Sequence, residues 1–342
     1  MNCMGNRALI RRALWALGGV AIAAATAAGA QVEVRPLTAH WNEGSADCAA
    51  HPQPPLEVHR IDARTYVLRE NPCSTWEAPF MYLVIGDTRA LLIDTGDVAD
   101  PRKMPLARTV LRLVPSHTPL LVVHTHRHLD HRAGDPQFVH RPNVDVVGYD
   151  LASVKHFYGF NHWPEGRAQI DLGNRIVDVI PAPGHEATHV VFYDRNTTLL
   201  FSGDFLMPGR LMLDDPAADL ASAERVAAFA RNLPVSGVLG GHIEEDAAGK
   251  LFPWQSTDHP HEHDLAMTKQ DLLALPAALQ SFNGFYSRTG KFVITDPIRN
   301  LEALVGVTLA TLVALITGVV IYLRRRARRR SVAIVSGGRA AS

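Results

Sequence analysis

The sequence predicts an α/β protein in which two sheets pack face to face with helices outside them, followed by a single membrane-spanning helix near the C-terminus. Three observations lead there. Short β-rich runs alternate with helical patterns in two similar halves of the chain. Polar residues stand where most of those runs stop, which is how an α/β sheet builds a site at its strand ends. Finally, Ala303 to Leu323 contains no charged residue. A chain of 342 residues suffices for one large domain or two ordinary ones, and its 47% apolar and 20% charged residues argue against disorder, collagen-like repeats and a polytopic membrane protein.

The ends read first. Residues 1–30 have the pattern of a cleavable secretory signal: basic up to Arg11-Arg12, apolar from Ala13 to Ala28, and small at Ala28-Gly29-Ala30, with cleavage expected before Gln31. An uncleaved signal anchor would export the body equally. The uncharged run 303–323 has 21 residues, and at about 1.5 Å per residue a helix of that length crosses a hydrocarbon core of roughly 30 Å. Tyr322 stands where an interfacial aromatic belongs. The arginines between Arg324 and Arg330 then put the C-terminus in the cytoplasm by the positive-inside rule. The expected organisation is signal 1–30, exported domain 31–300 with its core at about 58–245, transmembrane helix 303–323 and basic tail 324–342. The body would lie in the periplasm, on a bacterial-type inner membrane.

The formal charge of zero hides an uneven distribution. Residues 31–300 hold 24 of the 34 Lys and Arg but 33 of the 34 Asp and Glu, a net charge of −9. Such a body repels phosphate backbones, so nucleic acid is not expected as a partner. Cys3 would leave with the signal. Cys48 and Cys73 are one candidate pair, whose bond would close a loop of about 25 residues and contribute on the order of 3 kcal/mol. Two separate buried thiols are the alternative, and neither Cys has metal-ligand spacing.

Along the body, β-rich runs at Val58–Ile61, Thr65–Leu68, Met81–Ile85 and Ala90–Ile93 are separated by turn residues such as Gly86-Asp87. A helix is expected from about Met104 to Leu113, then a buried strand Leu120–Val123 that ends abruptly in histidines. The second half offers strands at Ile176–Ile180, Val190–Tyr193, Thr198–Phe201 and Gly237–Leu239, and helices at about Asp219–Ala230 and Asp264–Leu275. The remainder up to the membrane is poorly patterned.

The chemistry concentrates in His124-Thr125-His126-Arg127-His128-Leu129-Asp130-His131. Alternate residues of an extended segment point the same way, so His126 and His128 can reach one ion, while Asp130 and His131 turn into the next element and can face a second. Four more polar residues follow strand ends: Asp94 after Ala90–Ile93, His185 after Ala182-Pro183-Gly184, Asp204 after Ser202-Gly203, and His242 after Gly240-Gly241. Singly each reads as a cap or a surface residue. Together, in step with the histidine cluster, they point to a metal site.

These residues resemble the metallo-β-lactamase superfamily, over roughly Tyr82 to His242: an Asp-ending strand, the H-x-H-x-D-H motif, then His, Asp and His at later strand ends. The resemblance implies an αββα sandwich with a metal site at one edge of the two sheets. It also implies that His126, His128 and His185 bind one zinc ion, Asp130, His131 and His242 the other, and Asp204 both. Asp94 takes a supporting role that orients a ligand. Seven N and O donors without a thiolate suit two Zn²⁺, and Mn²⁺ or Fe²⁺ meet the same donors. A water held by zinc has its pKa lowered to about 7, so a hydroxide is available to attack a polarised carbonyl, with Asp130 and Asp204 as the catalytic carboxylates. His124 and His189 are read as supporting residues, and His259 to His263 as an exposed loop or a wall of the substrate cleft.

Branches of the superfamily differ at these positions. As the resemblance implies, one β-lactamase branch has Cys where this chain has Asp204, and the other dinuclear one lacks a bridging carboxylate; Ser202-Gly203-Asp204 looks instead like glyoxalase II, lactonase and phosphodiesterase-type members. His128 and the absence of a flavin domain speak against the flavodiiron type, and the acidic body against RNA processing. The expected activity is therefore hydrolysis of a small ester, lactone, thioester or related acyl substrate, with β-lactam hydrolysis as one alternative and a non-catalytic metal-binding accessory role as another. The aromatic stretch His156 to Trp163 is expected either to wall an apolar cleft or to pack in the core, and Phe252-Pro253-Trp254 is a second candidate wall.

Overall fold

A computed structural model describes the backbone of residues 40–337 and side chains up to residue 326. The expected signal, Cys3 and the end of the basic tail lie outside the described residues. The first sheet is built from β1 (Leu56–Asp62), β2 (Thr65–Glu70), β3 (Phe80–Ile85) and β4 (Ala90–Ile93). After α1 (Leu106–Leu113) it continues with β5 (Leu120–Val123) and β6 (Val144–Val146), and sequence order is spatial order throughout. Beyond α2 (Leu151–Tyr158), the second sheet takes β7 (Ala168–Asp171), β8 (Ile176–Pro181), β9 (Val190–Asp194) and β10 (Leu199–Gly203). Past β11 (Gly209–Met212) and α3 (Pro216–Ala230), it adds β12 (Gly237–Gly240) and β13 (Ala266–Met267), in the order β13-β12-β10-β9-β8-β7. Following α4 (Lys269–Gln280), β14 (Tyr286–Thr289) and β15 (Phe292–Thr295) join β11 in a small third sheet, order β11-β15-β14, ahead of α5 (Pro297–Gly337).

The αββα layering follows from side-chain alternation. In β3, Phe80, Tyr82 and Val84 enter the core between the sheets with Val179, Phe192 and Phe201, while Met81, Leu83 and Ile85 lie on the opposite face beside Leu106 and Val110 of α1. In β10, Phe201 faces the first sheet and Leu200 meets Val226 of α3 and Leu272 of α4. Both faces of the central strands are covered, which is why they read as unbroken apolar runs. Burying each such side chain contributes about 1.5–3 kcal/mol.

Some expectations move. The helix expected over Asp264–Leu275 begins only at Lys269 and runs to Gln280. Ala266 and Met267 instead pair with β12, and Thr268 caps the helix, its hydroxyl accepting from the Asp271 backbone N–H. The poorly patterned stretch contains the β14–β15 hairpin. The aromatic stretch 156–163 contributes chiefly to the core. It overlaps α2, which Asp150 caps and Gly159 ends at φ +73°, and Phe160, Tyr158 and Trp163 pack into the core while Phe157 is exposed. Cys48 and Cys73 are disulfide-bonded, tying the leading segment to the turn after β2. The apolar run 303–323 lies inside the longer α5, which starts at Pro297 and so overlaps the expected end of the exported domain; within Pro297–Arg326 an 18-residue stretch has a mean hydropathy of 2.5 and none of that stretch is buried. The helix is long and apolar enough to cross a membrane.

Candidate metal centre

Five strands end at one edge of the sandwich. β4 runs parallel to β5, β10 runs parallel to β12, and β8 points the same way as β10 because both are antiparallel to β9. Their exits carry Asp94, the segment His124–His131, His185, Asp204 and His242. The two sheets are stitched at this edge by the Phe80 N–H donating to Gly241 O at 2.8 Å, the Tyr82 hydroxyl to Gly240 O at 2.5 Å, and the Val190 N–H to Thr125 O at 2.8 Å. A 3₁₀ turn at Leu129–His131 swings Asp130 and His131 away from His126 and His128.

All seven sequence-predicted residues come together, in two groups. His126, His128, His185 and Asp204 form one, and Asp130, His131, Asp204 and His242 the other, with one donor atom of each residue within 4.8 Å of the rest of its group. In the first, His128 Nδ1 lies 2.9 Å from His126 Nε2 and 3.0 Å from His185 Nε2. In the second, His131 Nε2 and His242 Nε2 are 3.2 Å apart, with Asp130 Oδ2 at 3.4 and 3.2 Å from them. Asp204 divides its oxygens: Oδ2 is 3.4 Å from His185 Nε2, and Oδ1 is 3.3 Å from His131 Nε2.

Whether these residues fit a cation can be tested on the outer face of each ring. His185 Nδ1 donates to Met212 O at 2.7 Å, His242 Nδ1 to Glu77 O at 2.7 Å, and His131 Nδ1 to Asp94 Oδ2 at 3.0 Å. His126 Nδ1 lies 3.1 Å from Thr125 Oγ1, whose own proton goes to Asp94 Oδ2 at 2.9 Å. Each of these four rings therefore commits its outer N–H and turns a lone pair inward. Inward nitrogens about 3 Å apart repel one another unless a cation or proton lies between them. Bonds of about 2.0–2.1 Å in a tetrahedron separate neighbouring donors by roughly 3.3 Å, which these distances approach. Asp204 Oδ1 is buried with no hydrogen-bond partner among the described residues, and a Cβ on Gly241 would collide with that carboxylate and with the His131 ring. The donor set fits a pair of divalent cations.

Electrostatics agrees. Burial alone would lower His242, but the Asp204 charge and its bond with Asp130 prevail and push it up to about 10. Burial also opposes protonation of His131, yet Asp204, Asp130 and Asp94 hold it well above the usual imidazole range. Conversely, Asp130 and Asp204 stay far below ordinary carboxylates despite burial, held there chiefly by His131 with help from His242. Without a metal, protons thus take the cation's place in the second group. His126, farther from the carboxylates, is driven down by burial and by the neighbouring imidazoles.

The supporting residues are clear as well. Fully buried Asp94 accepts from the Thr125 N–H at 2.7 Å as well as from Thr125 Oγ1 and His131. His124 lies outside both groups, 2.8 Å from Asp135. His189 stacks on His126 at 5.0 Å, and neither of its buried ring nitrogens has a partner among the described residues. His259 is buried, stacked on Phe252. Sequence reasoning missed the acceptors Glu77 O and Met212 O, which as backbone atoms leave no residue-type signal. It also missed the Arg127–Glu186 ion pair at 2.6 Å, which joins the two loops bearing His126, His128 and His185.

A four-layer αββα sandwich whose edge gathers two His/Asp groups around a shared carboxylate defines a class of metal-binding hydrolase folds. Residues 74–272 match the family model of the metallo-beta-lactamase superfamily, and the chain belongs to that superfamily. Among curated relatives it is similar to the hydroxyacylglutathione hydrolase of Aeromonas hydrophila, 31% identical over 154 residues covering 44% of this chain and 56% of the relative. It is also similar to that of Rhodobacter capsulatus, 32% identical over 163 residues covering 46% and 61%. The chain thus spans little more than half the length of these relatives. Among solved structures it is similar to a metallo-beta-lactamase from Pontibacter korlensis (20% identity, 66% of this chain and 100% of that one, TM-score 0.47).

Proposed function

We propose that this chain is an exported, membrane-anchored acyl hydrolase that uses two divalent cations, most simply zinc, to cleave a small ester, lactone or thioester. His126, His128 and His185 would hold one cation, Asp130, His131 and His242 the other, and Asp204 both. When bound, such a pair supplies a water of lowered pKa and a Lewis acid for the acyl oxygen. The chain's own residues do the rest. Asp130 and Asp204, the carboxylates at the reacting position, would orient the attacking water, while Asp94 fixes Thr125 and the tautomer of His131. Most of each group is buried, with His128 and Asp130 left partly exposed where a substrate would enter.

The observation that carries this reading is the inward turning of four imidazole lone pairs around a divided carboxylate, each ring locked from behind. Similarity to hydroxyacylglutathione hydrolases supports an acyl substrate. Export and anchoring are supported by the exposed apolar run 303–323 of α5 and the arginines that follow that run, which favour a periplasmic body and a cytoplasmic C-terminus. The test is metal content together with turnover of chromogenic esters, lactones, thioesters and cephalosporins by the purified chain. Two ions per chain without turnover of any of them would favour the accessory role.

A further inference from the structure

The link from α4 back into the third sheet carries an aromatic surface that the body leaves uncovered. Phe282 turns inward and packs on the core beside α3 and α4. Phe285 and Tyr286, just beyond it, stay 41% and 48% exposed. Their turn is closely held. Asn283 Oδ1 accepts the backbone N–H of Phe285 at 2.8 Å and that of Tyr286 at 2.9 Å, and its amide donates to Tyr286 O at 2.8 Å. Gly284 stands at φ +84°, and a Cβ there would run into the Arg299 guanidinium. Two large rings fixed outward in this way forgo part of the roughly 1.5–3 kcal/mol that burying each would contribute. Something other than the body itself is needed to cover them.

The turn is fastened to the base of α5. Phe285 O accepts from the Asn300 amide at 3.0 Å and from the Thr295 hydroxyl at 3.2 Å, and the Arg299 guanidinium lies over the Phe285 ring at 4.8 Å. Asp296, the single residue between β15 and α5, accepts the Arg299 N–H at 2.8 Å. Both rings therefore sit near the level of Arg299 and Asn300. That level decides what covers them. Arg299 precedes Ala303, where the uncharged run begins, by four residues, about 6 Å at the helical rise. The headgroup layer on each side of a roughly 30 Å hydrocarbon core is about 5–8 Å thick. With α5 across a bilayer, Phe285 and Tyr286 fall in that layer, where aromatic rings partition favourably and a phenol keeps its hydroxyl in water. Ile298 and Leu301, 54% and 61% exposed, extend the apolar surface along the same two helical turns.

We propose that Phe285 and Tyr286 form a lipid-facing foot by which the body rests on the membrane interface beside α5. The proposal rests on the membrane reading above. A second copy of the chain would cover the same rings, but at this depth the bilayer that α5 enters already does. The experiment uses the full chain in phosphatidylcholine vesicles, with Cys3→Ser so that the Cys48–Cys73 disulfide holds the remaining cysteines. A nitroxide is attached in turn at Tyr286→Cys, at Phe285→Cys, at Leu312→Cys inside the uncharged run, and at Ala63→Cys. Ala63 lies in the exposed turn between β1 and β2, at the end of the sandwich away from the metal groups. Relaxation of each label by oxygen, which concentrates in lipid, is compared with relaxation by a water-soluble nickel chelate. The oxygen-to-nickel ratio at positions 285 and 286 should stand severalfold above that at position 63 and below that at position 312. Labels at 285 and 286 as open to nickel as the one at 63, with 312 still in lipid, overturn the proposal. Labels there that are shielded from both reagents assign the surface to a protein partner, a second copy foremost, and overturn it equally. A label at 312 as open to nickel as the one at 63 would instead sink the membrane reading itself.

Discussion

Asp94→Asn is the sharpest probe of how the second metal group is held. Asp94 sits at φ +66°, a backbone region Asn tolerates, so the substitution leaves the turn intact. It does change the bonding. One carboxylate oxygen takes the Thr125 N–H, and the other takes both the Thr125 hydroxyl and His131 Nδ1–H. An amide offers only one oxygen to these donors, and its NH₂ must face the others. If the NH₂ lies toward His131, that ring can pair with it only by moving its own proton to Nε2, the atom 3.2 Å from His242 Nε2 where the cation belongs. A buried donor left without a partner costs about 1–3 kcal/mol of stability. Loss of an outer partner of a metal-ligating His typically weakens metal binding 10–100-fold. Chelator competition on the purified variant, with metal counted by mass spectrometry and folding followed by circular dichroism, should find one of two ions weakened by roughly that factor while the other is retained. Two ions held as tightly as in the wild type would refute the claim that Asp94 sets the His131 tautomer.

Three further outcomes follow from the same geometry. Asp204→Ala or His126→Ala should reduce turnover by more than the hundredfold or so expected for losing an outer partner, with the circular dichroism spectrum preserved because both lie at strand exits; a variant that fails to fold would make the metal chiefly structural. In the metal-free protein, His242 is pushed up to about 10 from 6.5, so its stabilising contribution is complete below 6.5 and lost as pH rises through 10, whereas Asp130 and Asp204, held below 3.8, stabilise above that value and lose this on acidification. His126, His128 and His189, all driven down by burial, erode stability as pH falls below 6.5; metal-free Tm should therefore peak at about pH 6.5, and a Tm that climbs from pH 7 to 10 would contradict this. Deleting residues 301–342 should release an active soluble body, because β15 and the Asp296–Asn300 contacts remain, while deletion from Lys291 should also weaken metal binding through loss of the strand paired with Met212; equal metal affinity in both truncations would show that β15 does not support His185.

The ligand set was legible because its chemistry is written in residue types. Four imidazoles and a carboxylate within eight residues, followed by lone His and Asp residues after glycines at strand ends, suit a pair of cations and little else. Central strands were equally plain, since β3, β4, β5 and β10 are buried on both faces and read as continuous apolar runs. Edge strands were not. In β6, only partly buried, and β7, where only Ile170 is buried, little apolar pattern is required. The aromatic segment 156–163 stayed open for a related reason: large rings suit a cleft wall and a core equally, and the packing of Phe160 between the sheets places it in the core.

The third sheet was the least visible element, and it connects most. Its strands have four residues each, and β14 alternates between partly buried and exposed positions. Only β15 carries three successive buried residues, Phe292, Val293 and Ile294, and it is buried because it lies alongside β11. β11 in turn acts through a backbone carbonyl, Met212 O, and through Arg210, whose guanidinium is consumed by Phe252 O, Glu244 and Trp254. None of these contacts imposes a residue pattern on the chain, since a carbonyl behind a histidine tolerates any side chain. Yet they connect the helix suited to a membrane, Trp254 and His185 through one small sheet. A helix joined to the body only by a slack linker would need no such sheet, so the three-stranded junction is what the proposed anchoring would use to hold the metal groups at a fixed distance from that helix.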